Sequence, residues 1–356
     1  MKFTAIKAGW MRRIGLAAGL LTLALAGCGG GTEIEPFSPN RIISFGDEMS
    51  VINQNGTLNG TKYTVNYYVA ATTTTPVVPA HIDCTGNPLW IQMVASHYGM
   101  AFDKCPGTST TQAGHLYAAN GATSTDLDTQ IANSVGNLGA FTDKDLVTVM
   151  VGMNDVLAAY DLYPSTTEAD LVAALTEKGK QLAAKVNNLA MQGPAVIVAT
   201  VPDLGLTPYA AKQEAATAGR KALLTRLTDA FNKGLRTNLI NDGHLIGLVS
   251  ADLEIQRMVE LPTYYGLLNV NEPVCLNAFN SSTGRDDLAL LQACTTDAST
   301  LVKDVDNNGA RKVSTDSTAT AATPGYYLWA GNLMLSAHGQ AQLGALAVSR
   351  ADGNPF

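Results

Sequence analysis

Asp145-Leu146-Val147-Thr148-Val149-Met150-Val151, followed at once by Gly152-Met153-Asn154-Asp155, is the stretch that decides the fold class. Its side chains do not alternate between polar and apolar. It therefore reads as a strand buried on both faces, which is how strands of a covered parallel sheet look. Two further runs share the pattern. Arg41-Ile42-Ile43-Ser44-Phe45 stops at Gly46-Asp47, and Ala195-Val196-Ile197-Val198-Ala199-Thr200-Val201 stops at Pro202-Asp203. Helical periodicity separates the runs. Residues 166–191 place Leu171, Leu175, Leu182 and Val186 on one face, and Ser165 with Glu168 reads as a capping box. Residues 215–240 read as one helix with Leu223, Leu224, Leu227, Phe231 and Leu235 apolar. The fold class is α/β: a doubly wound, mostly parallel sheet with helices on both faces, a flavodoxin-like three-layer sandwich in a single domain over residues 40–356. Residues 55–79 and 277–323, rich in Thr, Ser, Asn and Gly, read as excursions from the sheet. In such sheets a ligand lies beyond the carboxyl ends of the strands, so the loops after Phe45, Val151 and Val201 are the ones to inspect.

Ahead of the domain, Lys2, Lys7, Arg12 and Arg13 precede an uncharged apolar run over residues 14–26. That run is shorter than the about 20 residues needed to span a bilayer. It ends in Leu25-Ala26-Gly27-Cys28, which reads as a lipoprotein signal over residues 1–27 with acylation, palmitate included, at Cys28. Residues 28–39, with Gly29-Gly30-Gly31, then form a flexible tether. The expected location is the cell envelope, with Gly29 after the cysteine favouring the outer membrane; the expected partner is the membrane itself.

A composition of 46% hydrophobic and 15% charged residues is that of a globular chain. The net charge of −7 becomes −11 once the four basic leader residues are removed. Such an acidic surface argues against nucleic acid, whose binding rests on Lys and Arg at phosphates. Besides Cys28 there are Cys84, Cys105, Cys275 and Cys294. An even number in an exported chain favours disulfides, and four cysteines allow three connectivities. Local pairing, Cys84–Cys105 and Cys275–Cys294, is the expectation because each pair brackets one loop-rich segment. The close cysteine or histidine spacing of a zinc site is missing, and no metal or other cofactor is implied. Asp306-Asn307-Asn308-Gly309 lacks the bidentate glutamate of a calcium loop and reads as a turn.

The loop Phe45-Gly46-Asp47-Glu48-Met49-Ser50 resembles the opening block of the GDSL (SGNH) ester hydrolases, Phe-Gly-Asp-Ser-x-Ser. Tyr117-Ala118-Ala119-Asn120-Gly121-Ala122-Thr123 is similar to the second block, and Gly152-Met153-Asn154-Asp155 to the third, Gly-x-Asn-Asp. Residues 201–208 and 264–270 also look like exported bacterial members, and the resemblance runs from Arg41 to Ala347. It implies an oxyanion pocket built from the backbone N–H of residue 48, the N–H of Gly121 and the amide of Asn154.

The catalytic positions depart from the family pattern. Glu48 stands where the nucleophilic serine belongs. With Ala330 and Gly339 as fixed points in the last block, Ala-Asp-x-x-His-Pro-Thr-x-x-Gly-His, the triad acid falls on Gly331 and the histidine on Met334. A serine hydroxyl needs a histidine to take its proton and a carboxylate to hold that histidine, so a chain without all three is expected to be inactive as a serine esterase. Restoring activity would then take Glu48→Ser, Gly331→Asp and Met334→His together. Glu48 has three readings: it plugs the oxyanion donors, it acts as a general base, or it faces solvent. The alternative for the whole protein is an active carboxylesterase or lipase with a displaced triad on Ser50 and His338. His81, His97, His115 and His244 fall outside these blocks and read as ordinary histidines, and Asp155 and Asp203 read as loop or cap formers. For an inactive relative, the inherited cleft would take an acylated glycan, a lipid or a carboxylate.

Overall fold

A computed structural model of the chain describes residues 37–54, 60–74, 79–109, 111–304, 320–321 and 323–353. The leader, Cys28 and the turn at Asp306–Gly309 lie outside the described residues. From Ser38 onward the chain forms one compact unit.

Its centre is a five-stranded parallel sheet of β1 (Arg41–Gly46), β2 (Gly114–Leu116), β3 (Asp145–Met150), β4 (Ala195–Ala199) and β5 (Ile246–Val249), in the order β2-β1-β3-β4-β5. All of β3 and β4 is buried, as their unbroken apolar runs require. Register places Arg41 opposite Asp145 and Gly46 opposite Met150. The guanidinium of Arg41 grips the Asp145 carboxylate through Nε at 2.6 Å and Nη2 at 2.8 Å, which fixes the start of the β1–β3 pair. The strand order reverses direction between β1 and β3, and that switch point leaves a crevice at the carboxyl ends of those strands.

Helices flank the sheet. Glu168–Ala190 packs along Arg220–Asn238, burying Leu171, Leu175, Leu182 and Val186 against Leu223, Leu227, Phe231 and Leu235. The two backbones nearly touch. A Cβ added at Gly179 would lie 2.0 Å from the Phe231 carbonyl oxygen, and one at Gly234 would lie 2.1 Å from that of Thr176. Trp90–His97 packs against the last helix, Ala337–Gly353.

Two helix boundaries differ from the sequence reading. Thr167, not Ser165, caps the long helix, accepting a hydrogen bond from the Asp170 N–H at 3.2 Å. Residues 215–240 do not form one helix. Pro208–Ala216 ends first, Gly219 takes a left-handed conformation at φ 87°, and Arg220–Asn238 starts afresh. The Glu214 carboxylate accepts from the N–H groups of Gly219 and Lys221 and so bridges the break. Both expected disulfides, Cys84–Cys105 and Cys275–Cys294, are formed. Among the described residues no helix is long and apolar enough to cross a membrane.

Candidate functional site

Three strand ends build the crevice. After β1 the chain turns at Gly46, whose φ of 144° and 2.1 Å approach of a would-be Cβ to the Met150 carbonyl oxygen leave room for glycine alone. Gln130 holds this glycine from both sides, accepting from its N–H at 2.8 Å and donating to its carbonyl at 2.9 Å. Asp47 then caps a short 3-10 turn, Glu48–Ser50, by accepting from the Met49 N–H. After β3, Gly152 at φ 132° lies against the Phe231 ring and starts the helix Met153–Asp161, with Asn154 in its first turn. Gly121 arrives on the loop after β2.

These loops converge on the Glu48 side chain, which is 5% exposed. Its Oε1 accepts from the Gly121 N–H at 2.5 Å and its Oε2 from Asn154 Nδ2 at 2.9 Å. Asn154 Nδ2 also reaches the Ala122 carbonyl at 3.0 Å. No cation pairs with Glu48 among the described residues; dipolar N–H groups alone satisfy it. The neighbouring Asp47 carboxyl is pushed well above its ordinary range, first by burial and then by the charge of Glu48. Tyr63 lies close by. Its hydroxyl accepts from Asn120 Nδ2 and from Gln292 Nε2 at 2.8 Å, and donates to Asn53 at 3.3 Å.

The residues of the alternative triad have other partners. Ser50 is fully buried, and its Oγ accepts from Trp90 Nε1 at 3.1 Å. The His338 ring meets the backbone carbonyls of Tyr265 and Gly325, and burial lowers its pKa. Asp155 binds the Ser124 N–H at 2.7 Å and Lys178 at 2.7 Å, and Asp203 caps the Gly205 N–H, so both shape loops.

Gly331 and Met334 lie in a tight turn closed by hydrogen bonds from the Ala330 and Gly331 N–H groups to the Met334 carbonyl. Inside this turn stands Asp286, which no motif in the sequence singles out. Its carboxylate accepts from the backbone N–H groups of Asn332, Leu333 (2.9 Å) and Met334 (3.0 Å). The residue keeps some contact with solvent, but its carboxylate is turned inward, and burial pushes its pKa up to about 6 against the pull of the three donors. A Cβ on Gly331 would sit 2.2 Å from Asp286 Oδ1. Position 331 is therefore confined to glycine while Asp286 holds the turn. Gln130, Tyr63 and Asp286 stand outside the motif blocks, and only the packing of their loops brings them here. Among the described residues no three His, Cys, Asp or Glu side chains converge as metal ligands.

A search of curated proteins finds no match. Solved structures give distant likenesses. One is an α/β hydrolase enzyme from the metagenome of Lake Arreo, Spain, at 16% identity and TM-score 0.35 over 63% of this chain and 83% of that one. Another is a member of the lipolytic G-D-S-L family from Veillonella parvula, at 9% identity and TM-score 0.37 over 87% of this chain and 96% of that one. The family model described as GDSL-like Lipase/Acylhydrolase matches residues 64–304, a stretch that holds Gly121 and Asn154 and leaves out Glu48, Gly331 and Met334. With more than half of its length matched, on a parallel sheet whose strand ends carry these blocks, this chain belongs to the GDSL-like lipase/acylhydrolase family.

Proposed function

We propose that this protein is a GDSL-family lipoprotein that has lost serine esterase chemistry and serves the cell envelope by binding or in a structural role. One observation carries the reading: the Glu48 carboxylate lies across the N–H of Gly121 and the amide of Asn154. In an acyl-transfer site, donors so placed would stabilise a developing oxyanion, and each is worth about 10²–10³ in rate. Here the chain's own Glu48 side chain fills them, as the product of ester hydrolysis would. Glu48 is itself a poor nucleophile toward esters, and neither Gly331 nor Met334 can accept a proton. The placement supports the plugging reading of Glu48 over the base and the solvent-facing ones. A ligand of the inherited cleft, be it an acylated glycan, a lipid or a carboxylate, would have to bind beside Glu48 or displace it. The anchor in this reading is acylated Cys28, and the site is the outer membrane.

The test is direct. Purified protein should not turn over p-nitrophenyl acetate or butyrate, and fluorophosphonate probes should not label it. Ester turnover that disappears on Ser50→Ala or His338→Ala would overturn the proposal in favour of the displaced triad. Processing at Cys28 is tested separately: the mature chain should partition with membranes, and Cys28→Ala should release it or leave it unprocessed.

A further inference from the structure

The described surface carries a handful of exposed large apolar side chains, and several of them gather around one loop. Leu253 and Arg257, one turn apart on Ala251–Glu260, share a helical face, with Arg257 reaching Glu254 at 3.4 Å, and exposed Leu261 follows as the helix's C-cap. The chain then folds back on itself through hydrogen bonds from Tyr264 to Leu261 and from Leu267 to Pro262. This leaves Tyr264, at 82% exposure, as the tip. Leu268 donates its N–H to the Tyr326 carbonyl at 2.9 Å, which brings the backbone of Tyr326, another exposed aromatic residue, beside this loop.

We infer that this surface, Leu253, Leu261, Tyr264, Leu268 and Tyr326 with Arg257 among them, rests on the lipid bilayer. Two observations choose the bilayer as occupant. The chemistry is that of an interfacial belt: a phenol with an apolar body and a polar tip, leucines beside it, and an arginine whose stem can lie in the apolar layer while its head stays in water. The chain outside the described structure supplies the second. From Cys28 to Phe37 there are nine residues, an extended reach of about 30 Å. An anchor that short confines the domain to a thin layer over the membrane. At the resulting effective concentration, even a modest affinity of the patch for lipid, measurable on the free unit, is enough to orient the tethered domain. This step rests on the lipoprotein reading only for the tether; the patch itself can be tested without it.

The compact unit Ser38–Phe356 contains the whole sheet and its core, so it can be prepared without leader or lipid. In sedimentation with vesicles of phosphatidylethanolamine and a minority of phosphatidylglycerol, a measurable fraction should bind. Tyr264→Ser with Leu268→Ser should lower that fraction about fivefold or more. Leu162→Ser, an exposed leucine elsewhere, serves as control and should leave binding unchanged, and unchanged melting of all variants should confirm the fold. Absence of vesicle binding by the unmodified unit would overturn the inference. So would a dimer in light scattering that the double substitution turns to monomer, since the patch would then belong to a second copy. Vesicle binding by the isolated unit, together with an unacylated full-length chain, would sustain the patch and remove the anchor.

Discussion

Glu48 and Asp286 are both carboxylates held by backbone or amide N–H donors. The consequence for Glu48 is that a single substitution should not revive chemistry. On the proposed reading, Glu48→Ser frees the donors and offers a hydroxyl, but Gly331 and Met334 supply no base to take its proton, so ester turnover should stay at background in a p-nitrophenyl butyrate assay. The consequence for Asp286 is steric. Sequence comparison suggests that Glu48→Ser, Gly331→Asp and Met334→His together would rebuild a triad, but any side chain at 331 meets the Asp286 carboxylate, which three hydrogen bonds keep from moving aside. Gly331→Ala should therefore cost about 1–3 kcal/mol in urea unfolding, the range for overpacking. In an Asp286→Ala background it should cost about 1 kcal/mol less, because the obstacle has gone. Equal costs in the two backgrounds would show that the turn yields without Asp286. A rebuilt triad accordingly needs a fourth substitution, at Asp286.

The elements that carry these residues are held by covalent and polar ties rather than by long strands. Asp286 lies within the segment closed by Cys275–Cys294, a separation of 19 residues. On the loop-entropy account, Cys275→Ser with Cys294→Ser should lower stability by about 3 kcal/mol, read as a shift in the denaturant midpoint. Peptide mapping under non-reducing conditions should show this pair and Cys84–Cys105, and a crossed pairing would contradict the structure. The Cys84–Cys105 segment has a second tie in Lys62, a fully buried lysine whose Nζ donates to the carbonyls of Cys84, Gly86 and Asn87 at 2.8 Å each. Burial pushes this lysine down to about 7.

Across the whole molecule these buried groups set a pH dependence whose sign can be worked out. Asp286 titrates at about 6 in the folded protein against an ordinary 3.8, and Asp47 is shifted the same way. A carboxyl with a raised folded pKa binds its proton more readily in the folded state. Its contribution to stability is complete below 3.8 and is lost as pH rises through about 6. Burial lowers His338, which opposes this trend, while Lys62 acts higher, adding stability as pH climbs above about 7. The depressed carboxyls Asp83, Asp126 and Glu168 are largely exposed and solvent-screened, and matter only nearer pH 4 and below. The urea midpoint should thus be higher near about pH 5 than near about pH 7. Asp286→Asn should flatten that difference, whatever it does to the baseline. A midpoint that falls steadily from pH 7 to 5 in the wild type would refute the assignment.

The primary sequence by itself determined the local features, because they depend on neighbours in the chain. Runs such as 145–151 and 195–201 are too apolar to be anything but covered strands, and a glycine at the end of β1 and another shortly after β3 mark where the chain must turn beyond the sheet. The blocks at Glu48, Gly121 and Asn154 were legible for the same reason, and so was the pairing of cysteines about 20 residues apart. The short β2 carries too few residues for a pattern, and the helix break at Gly219 is hidden because apolar spacing continues beyond it. What only the tertiary structure decided is which distant groups meet. Ser50 turns to Trp90, His338 to two backbone carbonyls, and Asp286 enters the turn at Gly331 from 45 residues away in the chain. No local pattern encodes such meetings, since they follow from where the sheet sends its loops and from the need of each buried charge to find donors.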